Sequence, residues 1–203
     1  MKIIKLRIIC VICCCMPGVL FAQAMMVFGG GQKAQECYMN AEMAARNLPG
    51  VGRSLLEACD YTLEFSSRLS LEDRAATLAN RGIVYAALND FDAAMVDYNQ
   101  AISMRPTTPE FFINRGNSYF MMRNYAEALN DYESSLGFGL KQLHFAHYNM
   151  GMTYERLGND VIAQREYQLA LEYEPGWPLA SNRLQIIQER LAEDMLKIDS
   201  NNQ

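Results

Sequence analysis

The spacing of hydrophobic residues predicts helices along most of this 203-residue chain. Between residues 34 and 47 apolar side chains recur every three or four positions, and Leu48-Pro49-Gly50 then interrupts the pattern. A second stretch, about 53–68, has the same periodicity. The two stretches together predict a helical hairpin over residues 34–69. Its apolar positions are Cys37, Met39, Met43 and Ala44, followed by Leu55, Leu56, Cys59, Leu63 and Phe65.

The same hydrophobic pattern then occurs three times between residues 75 and 177. Gly82, Gly116 and Gly151 mark equivalent positions, at intervals of 116 − 82 = 34 and 151 − 116 = 35 residues. This period is typical of units of two helices that stack into a solenoid. The pattern predicts units at 75–108, 109–142 and 144–177.

Polar residues at the predicted helix starts support these boundaries. Ser70, with Asp73 three residues later, is an expected N-cap before the first unit. Asp90, Asn124 and Asn159 stand where the second helix of each unit should begin, and all three are good N-cap residues.

A last helix is predicted over 178–197, with Pro178 in its first turn. Its apolar face would cover the open end of the third unit, as the solubility of a solenoid requires. Arg183 and Arg190 are expected to face water, and residues 198–203 are expected to form a polar tail. The covering residues are Leu179, Leu184, Ile187 and Leu191.

The first 24 residues have the pattern of a secretory signal peptide. Lys2, Lys5 and Arg7 precede an apolar run from residue 8 to residue 21, and small residues follow up to Ala24. The run is shorter than the roughly 20 residues that span a membrane. We expect cleavage near Ala24, a flexible mature N-terminus over 25–33, and a periplasmic or secreted protein without a membrane span. The alternative is an uncleaved leader that anchors the chain in the inner membrane.

Charge and cysteine content narrow the classes of function. The formal net charge is −5, and without the three basic leader residues it is −5 − 3 = −8. Such an acidic chain is not expected to bind nucleic acid. Only Cys37 and Cys59 follow the leader. In an exported chain this pair predicts a disulfide, with two buried free thiols as the alternative.

The three units also share a series of packing residues. After each glycine come an aromatic residue, an alanine, a second aromatic residue and a small residue. Small residues let helices approach closely, and the aromatic rings fill the space between them. The series are Gly82, Tyr85, Ala94, Tyr98, Ala101; Gly116, Tyr119, Ala128, Tyr132, Ser135; and Gly151, Tyr154, Ala163, Tyr167, Ala170.

This series resembles the tetratricopeptide repeat family, and the Asn-Arg-Gly segments together with the leader resemble its exported bacterial members. The resemblance implies an all-α, right-handed α-solenoid with an N-terminal hairpin and a C-terminal capping helix. Pro106 and Pro175 close the first and third units as in the family. Leu140 replaces the closing proline of the second unit, and Gly137-Phe138-Gly139 widens its loop.

The resemblance further implies a binding groove on the concave side, lined by the first helix of each unit. Asn80, Asn114 and Asn149 share one position in the repeat. Their amides are expected either to bind a peptide backbone or to bond neighbouring helices, and the sequence leaves both open. The expected groove residues are Asn80, Ile83, Asn114, Asn117, Met121, Tyr148, Asn149, Met152 and Arg156.

The charged clamp with which some family members grip an acidic peptide terminus is not reproduced. Ala79, Glu110 and Phe145 occupy the positions that would supply its lysines. The groove is therefore expected to take apolar side chains of a peptide or helix.

No arrangement of residues points to catalysis, a cofactor or a metal. His144 and His147 are three apart on one predicted helix, but matching third and fourth ligands are missing. The expected function is a non-catalytic protein-interaction scaffold of the cell envelope with a protein or peptide partner. The alternatives are a structural module that forms homo-oligomers in an envelope or secretion assembly, and an enzyme with a site around the two histidines.

Overall fold

The computed structural model of the protein describes residues 31–65 and 69–201. Within those ranges every regular element is helical, which confirms the predicted all-α class. The predicted leader, and residues 25–30 of the predicted flexible segment, lie outside the described residues. The helices are α1 (Gly31–Ala45), α2 (Glu57–Phe65), α3 (Leu71–Ala87), α4 (Phe91–Met104), α5 (Pro109–Met121), α6 (Tyr125–Gly137), α7 (Leu143–Arg156), α8 (Asp160–Tyr173) and α9 (Pro178–Asn201).

The N-terminal hairpin consists of α1, a short 3-10 helix (Arg53–Leu56) and α2. Helix α1 begins at Gly31, so residues 31–33 are helical rather than part of a flexible terminus. Cys37 and Cys59 are fully buried and form a disulfide between α1 and α2. Because this bond closes a loop of 22 residues, the loop-entropy model assigns it about 3 kcal/mol.

Helix α1 packs on α3 through small side chains. Ala41, Ala44 and Ala45 are buried in one apolar cluster with Ile83 and Val84 of α3. Alanine lets two helix backbones approach closely, and so α1 lies directly on the first helix of the first unit. The hairpin therefore covers part of the solenoid instead of merely preceding it.

The three repeat units are the helix pairs α3–α4, α5–α6 and α7–α8. In each pair a glycine of the first helix faces a buried tyrosine ring of the second helix. A Cβ atom on any of these glycines would lie 2.6–2.7 Å from a ring carbon of the tyrosine, closer than real contacts allow. The spacing that identified the repeat is thus a packing requirement. The pairs are Gly82 with Tyr98, Gly116 with Tyr132 and Gly151 with Tyr167.

Helices α3, α4, α6 and α8 begin directly after the predicted N-cap residues, and three of these four residues make the capping hydrogen bond. The Oγ atom of Ser70 accepts a hydrogen bond from the backbone N–H of Asp73 at 3.0 Å, as predicted. Asp90 and Asn159 also accept a bond from the first turn of their helices. Asn124 occupies the N-cap position of α6, but its side chain makes no capping bond, which differs from the expectation.

Helix α9 begins at Pro178, as expected, and packs on the third unit. Ala180 and Ile187 are fully buried in a cluster with Tyr148 and Tyr167. The helix continues to Asn201, four residues beyond the predicted end, and neither proline nor glycine interrupts this extension. Most of the predicted polar tail is therefore helical. None of the described helices combines the length and apolar character that crossing a bilayer requires.

Candidate partner-binding surface

Six of the nine expected groove residues are buried. Their side chains are covered by neighbouring helices and cannot contact a partner without a rearrangement. The exceptions are Met121, which is 41% exposed, Arg156, which is exposed, and Met152, which is half-buried. Solvent-accessible side chains therefore make up a third of the predicted set, and their contact with a partner stays a prediction. The buried residues are Asn80, Ile83, Asn114, Asn117, Tyr148 and Asn149.

The asparagine position connects neighbouring units. The Nδ2 atom of Asn149 donates a hydrogen bond of 2.8 Å to Oδ1 of Asn117, which joins α7 to α5. The same oxygen accepts a bond of 3.1 Å from the hydroxyl of Tyr132. Burial raises the pKa of Tyr132 well above its ordinary value, so this hydroxyl stays a donor. Of the two roles left open for Asn149, the structure supports the bond between helices.

In the first unit, expected groove residues are buried, and α1 packs against one of them. Asn80 and Ile83 are both 0% exposed, and Ile83 packs with the alanines of α1. The N-terminal end of the concave side is therefore filled by the chain itself.

An open cleft of 230 Å³ remains where α5, α7 and α9 meet. Two of the expected groove residues, Met152 and Arg156, line it, which places it on the predicted binding side. We call it the arginine cleft, because three of its six lining residues are arginines. The lining residues are Phe120, Met152, Glu155, Arg156, Arg183 and Arg190.

Glu155 organises the charges of the arginine cleft. Its Oε1 atom accepts a hydrogen bond from Nη2 of Arg190, and its Oε2 atom lies 3.7 Å from Nη1 of Arg183. The hydroxyl of Tyr167 donates to the same Oε2 atom. Arg190 also lies 3.4 Å from the carboxylate of Asp160. One carboxylate thus fixes the positions of two guanidinium groups contributed by α9.

The arginines of the cleft remain charged and partly accessible. Burial lowers the pKa of Arg183, but the nearby Glu155 and tyrosine hydroxyls outweigh it, so that the pKa is raised overall. The side chains of Arg183 and Arg190 are 33% and 43% exposed. The guanidinium carbon of Arg156 lies 6.0 Å from the ring centre of Phe120, at the outer limit of a cation–π contact.

Both histidines serve packing. Nδ1 of His147 lies 2.8 Å from Oε2 of Glu166, and its ring stacks on Tyr173 at 5.5 Å. His144 contacts the rings of Phe145 and Trp177, at 4.2 and 5.1 Å between centres. Among the described residues, no three His, Cys, Asp or Glu side chains are close enough to hold a metal ion.

The sequence interpretation missed Arg183, Arg190 and Glu155. It assigned both arginines to the water-facing side of α9. Arg190 is 43% exposed and Arg183 33%, but both guanidinium groups also contact Glu155 of α7. A signal was present: the two arginines are seven residues apart, so they lie on one helical face next to the buried Ile187.

The comparisons with known proteins agree with this architecture. A family model described as TPR repeat matches residues 82–122. The structure "First TPR of Spaghetti (RPAP3) bound to HSP90 peptide SRMEEVD" is similar with 26% identity and a TM-score of 0.56, covering 60% of this chain and 95% of that one. The first TPR domain of human RPAP3 matches with 25% identity and the same TM-score and coverage.

A third structure, the N-terminal domain of stress-induced protein-1 from C. elegans, is 19% identical with a TM-score of 0.53, covering 59% of this chain and 98% of that one. At that identity it supports the fold alone. The glycine–tyrosine packing, the family model and these neighbours agree. Residues 82–122 thus match the TPR repeat family, and the chain has the all-α solenoid fold of tetratricopeptide repeat domains.

Proposed function

We propose that this protein is a non-catalytic interaction scaffold of the cell envelope, which binds a peptide segment of a partner protein in the arginine cleft. The observation that carries the proposal is the cleft itself, open on the predicted binding side and lined by groove residues of the third unit. The similar RPAP3 domain was solved with a bound peptide, which supports peptide binding by this repeat arrangement.

The chemistry of the cleft supports binding without catalysis. Its six lining residues include no serine, cysteine, histidine or lysine that could act as a nucleophile. Its one carboxylate, Glu155, already accepts bonds from Arg190 and Tyr167, so it is poorly placed to take a proton from a substrate.

Two features support the envelope location. The pattern of residues 1–24 is typical of a secretory signal peptide, and disulfides such as that between Cys37 and Cys59 persist in oxidising compartments.

Site-specific crosslinking tests the binding role. A photoreactive residue at Met121, which is exposed beside Phe120, should trap a partner in an envelope extract. The matched control is Val161, which is 67% exposed on the first turn of α8. Adducts at position 121 and none at 161 support the proposal. Equal adducts at both positions, or none at 121, contradict it.

The location has its own test. Mass spectrometry of the native protein without reduction should find a chain that starts near Met25, with Cys37 and Cys59 resistant to alkylation. A chain that retains Met1 in the membrane fraction would support the anchored alternative. Free thiols in a cytoplasmic chain would refute export.

A further inference from the structure

We infer that the C-terminal part of α9 is a self-association surface, through which two copies of the protein pair in antiparallel orientation. We call this part, residues 192–201, the α9 extension. The inference is independent of the proposed function, because the six residues that line the arginine cleft all lie outside the α9 extension.

Helix α9 is longer than the helices that it covers. It has 24 residues, whereas α7 and α8 have 14 each. At 1.5 Å per residue, α9 is therefore about 15 Å longer than either of them. Among the described residues, Leu191 is the last of α9 in the apolar cluster shared with the third unit, and residues 192–197 are all exposed. The α9 extension thus begins where the covering contacts end.

The sequence of the α9 extension continues the pattern of the covered part. A cation followed by an aliphatic residue occurs every seven positions, so the three pairs lie on one side of the helix. In the first two pairs the leucines pack on the third unit, and the arginines contact Glu155. Met195 follows Leu191 by four residues, on the same face, and is 67% exposed. The contact face of α9 therefore continues into the α9 extension. The pairs are Arg183-Leu184, Arg190-Leu191 and Lys197-Ile198.

An apolar helix face of this kind is stabilised by a partner. Short helical segments are marginal in water, and the packing of an apolar face supplies most of their stability in proteins. The third unit gives this support to Ile187, which is fully buried. For Met195 the support has to come from another molecule.

The charges beside Met195 indicate that this molecule is a second copy. Glu193 lies two residues before Met195, and Lys197 lies two residues after it. In an antiparallel pair centred on Met195, the Glu193 of each copy lies opposite the Lys197 of the other, so two ion pairs form by symmetry. A parallel pair would place like charges opposite each other. The antiparallel pair also keeps the two solenoids at opposite ends.

The contact should be weak on its own. About three helical turns from each copy bury less than the roughly 1,200–2,000 Å² of stable interfaces. We therefore expect a dimer that exchanges with the monomer and accumulates at high protein concentration. Because each copy carries one arginine cleft, the dimer would present two, and a partner with two binding segments would gain affinity by binding both.

The test is the mass of the native protein in solution, purified without reducing agent, as a function of its concentration. Sedimentation velocity should show a monomer that converts to a dimer as the concentration rises. Met195→Glu should weaken the dimer by roughly tenfold or more, because it places two carboxylates at the centre of the pair. Leu196→Glu is the matched control: Leu196 is 69% exposed on the same turn but lies on the other face, so the dimer should not change.

Charge reversal identifies the partner as a second copy. Glu193→Lys and Lys197→Glu should each weaken the dimer about tenfold, because each creates two contacts between like charges. The variant that combines both changes should regain the dimer, since both ion pairs form again with their charges exchanged. Circular dichroism checks that each variant keeps the helix content of the wild type.

Three results would overturn the inference. One is a monomer at every concentration, including the case in which a photoreactive residue at Met195 traps a different protein. Another is an equal loss of the dimer in Met195→Glu and Leu196→Glu. The third is a combined charge reversal that dimerises no better than the single ones. All three leave the proposed binding in the arginine cleft untouched, because crosslinking at Met121 tests that separately.

Discussion

The first two repeat units and the third unit join their paired helices by different charged contacts. In the first unit Arg81 makes two bonds of 2.8 Å to Asp97. In the second unit Arg115 holds Asp131 in the same way, at 2.7 and 2.8 Å. Both aspartates are almost fully buried, with side-chain exposures of 2% and 3%. Each arginine precedes the repeat glycine by one residue.

The third unit has Met150 at that position, and its acid is Glu166. The partner of this acid is His147, one helical turn earlier, through a single contact of 2.8 Å. An imidazole carries charge only when protonated, whereas a guanidinium is always charged. The third unit thus lacks the permanent two-bond pair of the other two.

The same unit carries an arginine on its opposite side. Arg156 lines the arginine cleft, where the first two units have Ala87 and Met121 at the equivalent place. The difference shows that repeats with the same packing residues can use arginine at different positions for different purposes. The first two units keep arginine for holding helices together, and the third presents it toward the surface where we propose binding.

The largest expected effect comes from breaking a two-bond pair. Arg115→Met should destabilise the protein by about 3–5 kcal/mol, because it leaves the buried Asp131 carboxylate without its partner. The free energy of unfolding from urea titrations measures the loss. Burial already raises the pKa of Asp131, and without Arg115 the folded state should bind a proton still more readily. The loss should therefore shrink as the pH falls toward this raised pKa.

The control for this change is Arg165→Met, on the exposed face of α8, which should change stability by less than about 0.5 kcal/mol. An equal effect of the two substitutions would refute the distinct role of Arg115.

The next largest effect tests the glycine–tyrosine contact that all three units share. Gly116→Ala should cost about 1–3 kcal/mol, because its new Cβ would lie 2.7 Å from the ring of Tyr132. The equivalent changes at Gly82 and Gly151 should cost a similar amount. Gly137→Ala is the matched control: it lies at the end of α6 with open space around it, so it should be neutral or slightly stabilising. A clearly cheaper change at Gly151 would show that the third unit differs in its core as well.

A smaller effect is expected from Glu166→Gln in the third unit. It keeps the size of the side chain and one hydrogen-bond acceptor for His147, so the loss should be about 0.5–1.5 kcal/mol. The parallel change Asp131→Asn should cost more, since Arg115 loses a charged partner in a buried place. Equal losses in urea titrations would remove the contrast between the units.

The smallest effect concerns His144. Burial lowers its pKa below the ordinary 6.5, with Glu174 acting weakly against this. The folded state then binds fewer protons than the unfolded one, so stability is complete above pH 6.5 and falls as the pH drops below it. His144→Phe should remove this part of the slope between pH 7.5 and 5.5. An unchanged slope would show that other groups produce it.

The repeat units were readable from the sequence because their packing depends on residue type at a fixed interval. Where a tyrosine ring packs against a helix backbone, only glycine fits, so the glycine recurs at the same position of each unit, as at Gly82 beside Tyr98. The capping of α3 by Ser70 was predictable for a similar reason, since the bond is local to one turn.

The binding surface was less predictable because it depends on contacts between distant elements. Hydrophobic periodicity shows which face of α1 is buried but not that α3 receives it, and so the burial of Ile83 was missed. Arg183 and Arg190 looked like solvent-facing charges, because their partner Glu155 comes from another helix. Asn149 was placed in an open groove because its bond to Asn117 of the neighbouring unit is not local in the chain.

The covalent link in the N-terminal hairpin gives the solenoid two unequal ends. Cys37 and Cys59 tie α1 to α2, whereas α9 is held on α8 by noncovalent contacts alone. Because a solenoid opens unit by unit from its weaker end, we expect the amides of α9 to exchange with deuterium before those of α3 to α6. Fraying of α9 would carry Arg183 and Arg190 away from Glu155. The arginine cleft, where we propose binding, would then be lost while most of the repeats were still folded.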